Sequence, residues 1–337
     1  MQLKLSNFLR SALTVQSRQL RHASAWACSE LPSRSIIKVA GADSVDLLQR
    51  LMTNDIEMMV TEKWRSMYCM FLDDRGRVQF DAIVYPDKGE SDFLLEVDKQ
   101  AAGKAAKWMG FFKLKRKVKI DLLPAMQVFS VFDPSDLGSP PGPCNTGAPW
   151  GEETCITAAS SDHYQCFPDP RLGALGSRLI LDRNQSQDIR SHMPEDTEMV
   201  SPSDYDHHRC LLGVAEGLEE LGWGKVTPLE YNLDYLHGVN FHKGCYSGQE
   251  LTARTHHTGV IRKRILPLQF SSEIEEEDID IRNEKRKSVG KVKTVVGKVG
   301  LGLMRLKETF LAEKLFVNDS DLEVSVTKPV WWPTNQK

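Results

Sequence analysis

The sequence lacks a strong net charge, a long apolar run and the glycine-rich loops that cradle phosphates. Its 43 basic and 46 acidic residues leave a net charge of −3, so no global basic field draws the molecule to nucleic acid or to an anionic membrane. No apolar run approaches the roughly 18 residues that cross a bilayer, so we expect no membrane insertion. Neither G-x-G-x-x-G nor G-x-x-x-x-G-K-[ST] occurs, so the sequence contains none of the common nucleotide-binding loops of these two types.

Closely paired cysteines are also missing. The seven cysteines stand at positions 28, 69, 144, 155, 166, 210 and 245, and none forms the C-x-x-C pair of common zinc and redox sites. Cys69, Cys166 and Cys210 lie among apolar neighbours, so we expect them to be small buried residues. Cys144 lies in a loop rich in Pro and Gly, over 133–151, without a supporting group. Only Cys245 has neighbours that invite chemistry.

Acidic residues are absent from the N-terminus. The first 29 residues contain no Asp or Glu, and their basic residues are Lys4, Arg10, Arg18 and Arg21. This pattern predicts a mitochondrial transit peptide over 1–30, cleaved before Ser33, which would carry Cys28 away. The alternative is a disordered basic arm. In the reducing mitochondrial matrix, structural disulfides are not expected.

Hydrophobic patterns along the rest of the chain alternate between helix and strand. They predict a strand over 35–39, a helix over 42–52, a hairpin around the turn 73–76 and a helix over 99–112. This order favours an α+β body, over 31–258, with an antiparallel sheet. From residue 259 to 337 the pattern changes to short β-like runs, which predict a small β domain, in the form of a barrel.

The octapeptide KGCYSGQE, residues 243–250, surrounds the one cysteine of interest. Its S-x-x-E pattern predicts a helix with Ser247 as N-cap, which would place Cys245 two residues before the first turn. The free N–H groups and positive dipole end of that helix would then face the sulfur, and Lys243 would add a cation. Each effect favours thiolate over thiol, so the octapeptide predicts one accessible, activated thiolate.

The chemistry of such a thiolate is open on these residues alone. It is a nucleophile if a base such as His242, His256 or His257 assists it, or a soft ligand for iron or copper. A buried cysteine that serves only packing is the third possibility. One cysteine cannot hold an iron–sulfur cluster alone, because such a cluster usually takes four ligands. A metal role therefore requires ligands shared with another protein or with small thiols.

Several motifs together resemble the YgfZ-like family of folate-binding proteins, whose mitochondrial members help to assemble iron–sulfur clusters. The octapeptide, with TPLEYNLDYLHGVNFH before it and LTAR after it, is the most specific of them. The others are LLQRLMTNDI, DDRGRVQFDAIVY, DPRLGALGSR and RCLLGVAEG, and the similarity spans roughly 35 to 310. The resemblance implies a fold like the aminomethyltransferase of the glycine cleavage system, with two interlocked α+β portions and a C-terminal β-barrel.

By position, the resemblance places four residues near a tetrahydrofolate pocket: Asn54, Asp55, Asp81 and Arg209. An acidic side chain can engage the amino edge of the pterin, and a cation can engage the glutamate tail. The sequence departs from the transferase in two places, because Phe80 precedes Asp81 where the transferase has paired aspartates, and Leu211 replaces a glutamate. These losses argue against aminomethyl transfer.

The resemblance therefore implies an assembly factor that matures 4Fe–4S clusters late, together with an A-type carrier protein, in the mitochondrial matrix. Cys245 would contribute one ligand to a cluster shared with that carrier, and the fold would bind folate. The opposing hypothesis is a folate-dependent one-carbon transferase with Cys245 as nucleophile. A third is a scaffold in which Cys245 is only structural.

Overall fold

The computed structural model describes residues 26–89, 91–138, 164–185, 189–194, 196–274 and 279–333 of the 337-residue chain. These residues form two five-stranded sheets and one six-stranded sheet, with helices between and around them. The predicted α+β class with a C-terminal β-barrel domain is confirmed. Most of the predicted transit peptide (1–25) and of the loop rich in Pro and Gly (139–151) lies outside the described residues.

The strands and helices have the following bounds. The strands of the body are β1 (Trp26–Glu30), β2 (Arg34–Ala40), β3 (Met67–Leu72), β4 (Val78–Pro86), β5 (Phe93–Asp98), β6 (Lys119–Leu123), β7 (Met126–Phe132), β8 (Tyr164–Pro168), β9 (Ser177–Asp182) and β10 (Thr197–Val200). The strands of the C-terminal domain are β11 (Lys263–Phe270), β12 (Asp280–Asn283), β13 (Ser288–Val296), β14 (Val299–Arg305), β15 (Leu315–Val317) and β16 (Val324–Val326). The helices are α1 (Ser44–Leu51), α2 (Glu57–Thr61), α3 (Lys99–Lys113), α4 (Pro202–Leu212), α5 (Gly217–Leu221), α6 (Gln249–Thr258) and α7 (Leu306–Leu311).

The first sheet is antiparallel, with the order β3-β4-β5-β2-β6. Strands β3 and β4 are buried along almost their whole length, so both of their faces are covered. One face packs against α1 and α3 through a core that includes Leu48 and Met109. The Asp98 side chain begins α3 by accepting bonds from the Gln100 and Ala101 N–H groups, at 2.7 and 3.3 Å, which satisfies two free donors of its first turn.

The second sheet has the order β10-β1-β7-β9-β8, so the chain starts in it, crosses to the first sheet at β2 and returns at β7. Strand β1 lies inside this sheet, parallel to β10 and antiparallel to β7. The third sheet, β15-β12-β13-β14-β11-β16, curls into the C-terminal barrel domain. A continuous core joins all three sheets, and it includes Tyr68 of β3, Val128 of β7 and Leu301 of β14.

The position of β1 bears on where the predicted transit peptide could end. Cys28 is completely buried, and it pairs with Val131 on one side and Met199 on the other. Removal of the whole predicted leader, residues 1–30, would take a strand from the interior of a sheet and leave the edges of both neighbours unpaired. A leader that ends before Trp26 keeps the sheet intact, and the leader itself stays a prediction.

Candidate functional site

Cys245 is exposed on a loop over residues 240–248, which we call the cysteine loop. The other cysteines within the described residues, Cys28, Cys69, Cys166 and Cys210, are buried, as predicted for the last three. Burial raises the pKa of the Cys69 and Cys210 thiols, so these two sulfurs stay protonated and inert. The described part of the chain therefore offers one sulfur atom to a partner or a ligand.

Lys243 fixes one side of the cysteine loop. Its Nζ atom donates to the carbonyl oxygens of Gln49, Met52 and Asn54, at 2.8, 2.9 and 2.5 Å, where helix α1 ends. Burial lowers the pKa of Lys243 to about 8. The charged ammonium has three N–H bonds, and each of the three carbonyl oxygens accepts one of them. Lys243 thus holds the cysteine loop against the end of α1 and against the T-N-D segment, which is residues 53–55.

Backbone contacts fix the rest of the cysteine loop. The Ser247 N–H donates to the Arg50 carbonyl at 2.9 Å, and the Asn240 N–H donates to the Thr53 carbonyl at 3.2 Å. Gly248 has a φ of 76°, and a Cβ atom there would lie 2.3 Å from the Asp73 carbonyl oxygen in the β3–β4 turn. Three motifs that are far apart in the sequence, the T-N-D segment, the β3–β4 turn and the octapeptide, therefore meet around Cys245.

The predicted capping box at Ser247 is wrong. Helix α6 begins at Gln249 with Gly248 as its N-cap, and no side chain caps it. The Ser247 hydroxyl lies 3.5 Å from the Leu72 carbonyl instead, and Gln249 Oε1 accepts the Tyr246 N–H at 3.1 Å. Gly248, with φ 76° and ψ 9°, occupies the N-cap position, so Ser247 lies one residue before it. The sequence predicts that a Ser247 cap and the Lys243 ammonium act on the Cys245 thiol. In the structure, both residues hold the cysteine loop in place instead.

The histidines near the octapeptide have different surroundings. His256 stacks on Phe241 with 3.6 Å between ring centroids and 13° between planes, and burial lowers its pKa. His257 meets the His256 ring edge-on, and His242 is exposed. Within the described residues, no three His, Cys, Asp or Glu side chains form a group that could hold a metal ion. A metal held by Cys245 would need other ligands from beyond these residues.

Three of the four predicted folate residues have partners inside the protein. The Asn54 amide donates to the carbonyls of Tyr68 and His237 at 2.9 and 2.7 Å. Asp55 accepts bonds from the Gln49 side chain at 2.9 Å and from the backbone that begins α2. Each of these contacts shapes the T-N-D segment, which receives Lys243, so these residues support the cysteine loop. Their contact with folate stays a prediction.

Arg209, on helix α4, is occupied by carboxylates. Its guanidinium binds Glu220 through two hydrogen bonds, at 2.8 and 2.6 Å, and Asp206 through a third at 2.9 Å. Such a two-point pair is among the stronger charge-assisted contacts. The predicted role of Arg209 at a glutamate tail also stays a prediction, and its guanidinium already has two carboxylate partners.

Asp81, the fourth predicted residue, is different. It is 1% exposed, and neither carboxylate oxygen has a hydrogen-bond partner among the described residues. Burial raises its pKa, Arg34 and Arg171 oppose this rise, and Glu216 adds to it. A buried carboxyl group without partners is costly, so Asp81 suits a contact with water or with a ligand that has N–H donors.

A buried ion network lies around Asp81, between the first and the second sheet. The sequence analysis did not predict it. Its six charged members are Arg34, Glu96, Asp169, Arg171, Arg178 and Glu216. Arg171 and Arg178 contact Glu216 at 2.7 and 2.9 Å, and both are completely buried. Burial raises the pKa of Glu216, but Arg178, Arg34 and Arg171 outweigh burial and hold the pKa well below its usual range. The segments DPRLGALGSR and RCLLGVAEG contain four of these residues, so they were a signal for this network.

Comparison with known proteins supports an assignment. Residues 262–334 match a family described as "CAF17, C-terminal beta-barrel domain". The human protein "Iron-sulfur cluster assembly factor IBA57, mitochondrial" is 34% identical over 329 residues, which cover 93% of this chain and 87% of the human protein. The homolog of Dictyostelium discoideum with the same description is 33% identical over 264 residues, covering 72% of this chain and 62% of that protein.

Among solved structures, the glycine cleavage system aminomethyltransferase T from Bartonella henselae aligns with a TM-score of 0.70 and 14% identity. The alignment covers 91% of this chain and 86% of the transferase, and it shows the shared fold. Among the described residues, no helix is long and apolar enough to span a bilayer.

Proposed function

The chain belongs to the IBA57 family of mitochondrial iron–sulfur cluster assembly factors, and from this premise we propose that it acts with an A-type carrier to complete 4Fe–4S clusters in the matrix. In this proposal the Cys245 thiolate is one ligand of a cluster that the two proteins share. The exposed position of Cys245 on an anchored loop is the observation that carries the proposal. The cluster is the cargo, and the protein supplies one soft ligand at a fixed place.

The surroundings of Cys245 suit a shared ligand. A cluster usually takes four ligands, so a single thiolate leaves most of the coordination to the carrier. Gly244 is exposed, and a Cβ atom added there would meet nothing within 4 Å, so a partner can approach closely on that side. Lys243 and the Ser247 backbone hold the loop from within, which reduces the entropy lost when the thiolate binds iron.

The test mixes the purified protein anaerobically with a cluster-loaded A-type carrier. Absorption and Mössbauer spectra should show a new 4Fe–4S species in a complex that gel filtration resolves. Cys245→Ser should abolish that species, because an alcohol is a poor ligand for iron. Ser247→Ala is the matched control in the same loop, and it should leave the spectra unchanged, since its hydroxyl makes only a 3.5 Å contact. An unchanged cluster yield with Cys245→Ser would refute the ligand role.

Asp81 supports a second proposal, that the fold binds tetrahydrofolate. The amino group and ring N–H of a pterin present two donors side by side, and the two free carboxylate oxygens of Asp81 are a matching pair of acceptors. Tetrahydrofolate should raise the melting temperature of the protein, because a ligand that binds only the native state stabilises it. Asp81→Asn should reduce that shift and the exposed control Asp74→Asn should not. An equal shift in all three proteins would place the ligand elsewhere.

A folate-dependent transferase with Cys245 as nucleophile is one alternative, beside a scaffold in which Cys245 is only structural. It requires one-carbon transfer from a folate donor by the purified protein, and Cys245→Ser should then abolish this transfer. Leu211 stands where the related transferase has a glutamate, which argues against that activity. Transfer that depends on Cys245, without cluster formation, would decide for the transferase.

A further inference from the structure

The end of helix α3 and the turn after it carry charge of one sign. Between Asp98 and Asp121 the chain has no acidic residue, and its basic residues are Lys99, Lys104, Lys107, Lys113, Lys115, Arg116, Lys117 and Lys119. The net charge of −3 conceals this local excess. We call residues 111–117 the basic tip, because the helix ends there and the chain reverses.

Two large apolar side chains project from the basic tip. Phe111 is 76% exposed and Leu114 is 77% exposed, whereas Met109 and Ala105 of the same helix are buried in the core. An exposed Phe and an exposed Leu this close together form an apolar knob that the interior of the protein does not use. Such a surface is typical of an interaction site.

The backbone holds Leu114 outward at a cost. Leu114 has φ 49° and ψ −118°, and the Arg116 N–H donates to the Lys113 carbonyl at 3.0 Å, which fits the first central position of a type II′ turn. Glycine dominates that position because a side chain is strained there. Among the described residues with positive φ other than glycine, Leu114 is the sole apolar one. A strained residue retained at an exposed turn points to a use for its side chain.

Some of the basic side chains around this knob have bonding partners in the described residues, and others do not. Arg116 pairs with Asp46 at 2.5 Å, and the Lys113 ammonium donates to the Val118 carbonyl at 2.6 Å. Lys107, Lys115 and Lys117 are exposed and have no ion-pair partner in the described part of the chain. The nearest acids are occupied, because Asp46 also binds Arg50 and Asp43 accepts the Lys117 backbone N–H.

We propose that the basic tip docks the protein reversibly on a bilayer surface rich in anionic lipid, with Phe111 and Leu114 entering the headgroup region. Lysines attract the anionic headgroups, while the two apolar side chains leave water, which is how peripheral proteins divide the interaction. A nucleic acid would use the lysines and stack on Phe111, but it would gain nothing from Leu114. This surface contact involves no spanning segment, and it is independent of the role of Cys245.

The test is flotation of the full chain with vesicles. Phosphatidylcholine vesicles should not bind it, whereas an equimolar mixture of phosphatidylcholine and phosphatidylglycerol should, and added salt should weaken the binding. Each lysine near an anionic surface contributes about fivefold in affinity, so Lys115→Ala with Lys117→Ala should weaken binding about 25-fold. Phe111→Ser with Leu114→Ser should weaken it by at least about tenfold.

The matched control is a second exposed apolar pair, Phe310 and Leu311 of α7, which are 43% and 72% exposed. Its flanking charged residues, Lys307, Glu308, Glu313 and Lys314, carry no net charge, unlike those of the basic tip. Changing Phe310 and Leu311 to Ser should leave flotation unchanged, and circular dichroism should show that every variant folds. No binding to the anionic vesicles, or an equal loss in the control, would overturn the proposal. Binding of single-stranded RNA that needs Lys115 and Lys117, without vesicle binding, would assign the tip to nucleic acid instead.

Discussion

Lys243 is the residue on which the cysteine loop depends most. Lys243→Met should cost about 1.5 to 3 kcal/mol, the usual range for a charge-assisted hydrogen-bond site, because three carbonyls at the end of α1 lose their donor. Urea unfolding monitored by circular dichroism measures this cost. The exposed Lys285→Met is the control and should change stability little. A Lys243→Met protein as stable as the control would mean that water replaces the ammonium without loss.

Asp81→Asn should stabilise the protein, by roughly 1–2 °C in melting temperature for a change of about 1 kcal/mol in a chain of this length. Burial raises the pKa of Asp81 above its unfolded value, so the folded chain holds this proton more tightly than the unfolded chain does. The wild type is therefore penalised as pH rises through the folded pKa, and the variant is not. Melting curves at several pH values should show a gain that is small near pH 4 and larger at pH 8. A gain that decreases as pH rises would contradict this reading.

At the scale of the element, β1 is a test of what the fold requires. A chain that begins at Ser33 lacks β1, so β7 and β10 lose their shared neighbour and the cavity left by Cys28 and Ala27 opens to water. We expect that chain to aggregate or to lose cooperative unfolding, while a chain that begins at residue 24 unfolds in one transition. Calorimetry of the two proteins measures the difference. Equal transitions would show that the sheet closes without β1.

Elements with a local cause were predictable from the sequence, and those with a distant cause were not. The pattern over 99–112 repeats at helical spacing, and α3 covers Lys99–Lys113. The cap at Ser247 failed because Gly248, in a left-handed conformation, occupies the N-cap position, and this is not written in the S-x-x-E pattern. Strand β1 falls within the predicted leader because no acidic residue occurs before Glu30 in the sequence.

At the scale of the molecule, the buried ion network joins the first and the second sheet. Glu216→Gln should cost about 3–5 kcal/mol, because it leaves Arg171 and Arg178 without their shared carboxylate in the interior. The pKa of Glu216 is held well below its usual range, so this stabilisation is present above its unfolded pKa and is lost as pH falls. Chemical denaturation at pH 7.5 measures the cost. Glu219→Gln, an exposed residue of the helix α5 that follows Glu216, should change stability little, and an equal loss there would contradict the role of the network.

The sequence predicted the central residue of the site, Cys245, but not the buried ion network around Asp81. Cys245 stood out from the sequence because its octapeptide is unusual, and the structure leaves its sulfur exposed. The network around Asp81 could not be predicted by local reasoning, since Arg34, Glu96 and Glu216 come from distant parts of the chain. The segments DPRLGALGSR and RCLLGVAEG contain the other members and Glu216, but their sequences do not show that these residues meet.

The place of β1 in its sheet also sets an order in time. This strand emerges first when the chain is made or threaded from its N-terminus, yet its partners in β7 and β10 emerge much later. Until then its backbone donors and the apolar side chains of Ala27 and Cys28 have no neighbours, which makes the nascent segment prone to aggregation. Pairing across such sequence distances is slow, because a long loop must close before any contact forms. The second sheet can therefore be completed only after residue 200 has emerged, and β1 waits longer for its partners than any other strand of that sheet.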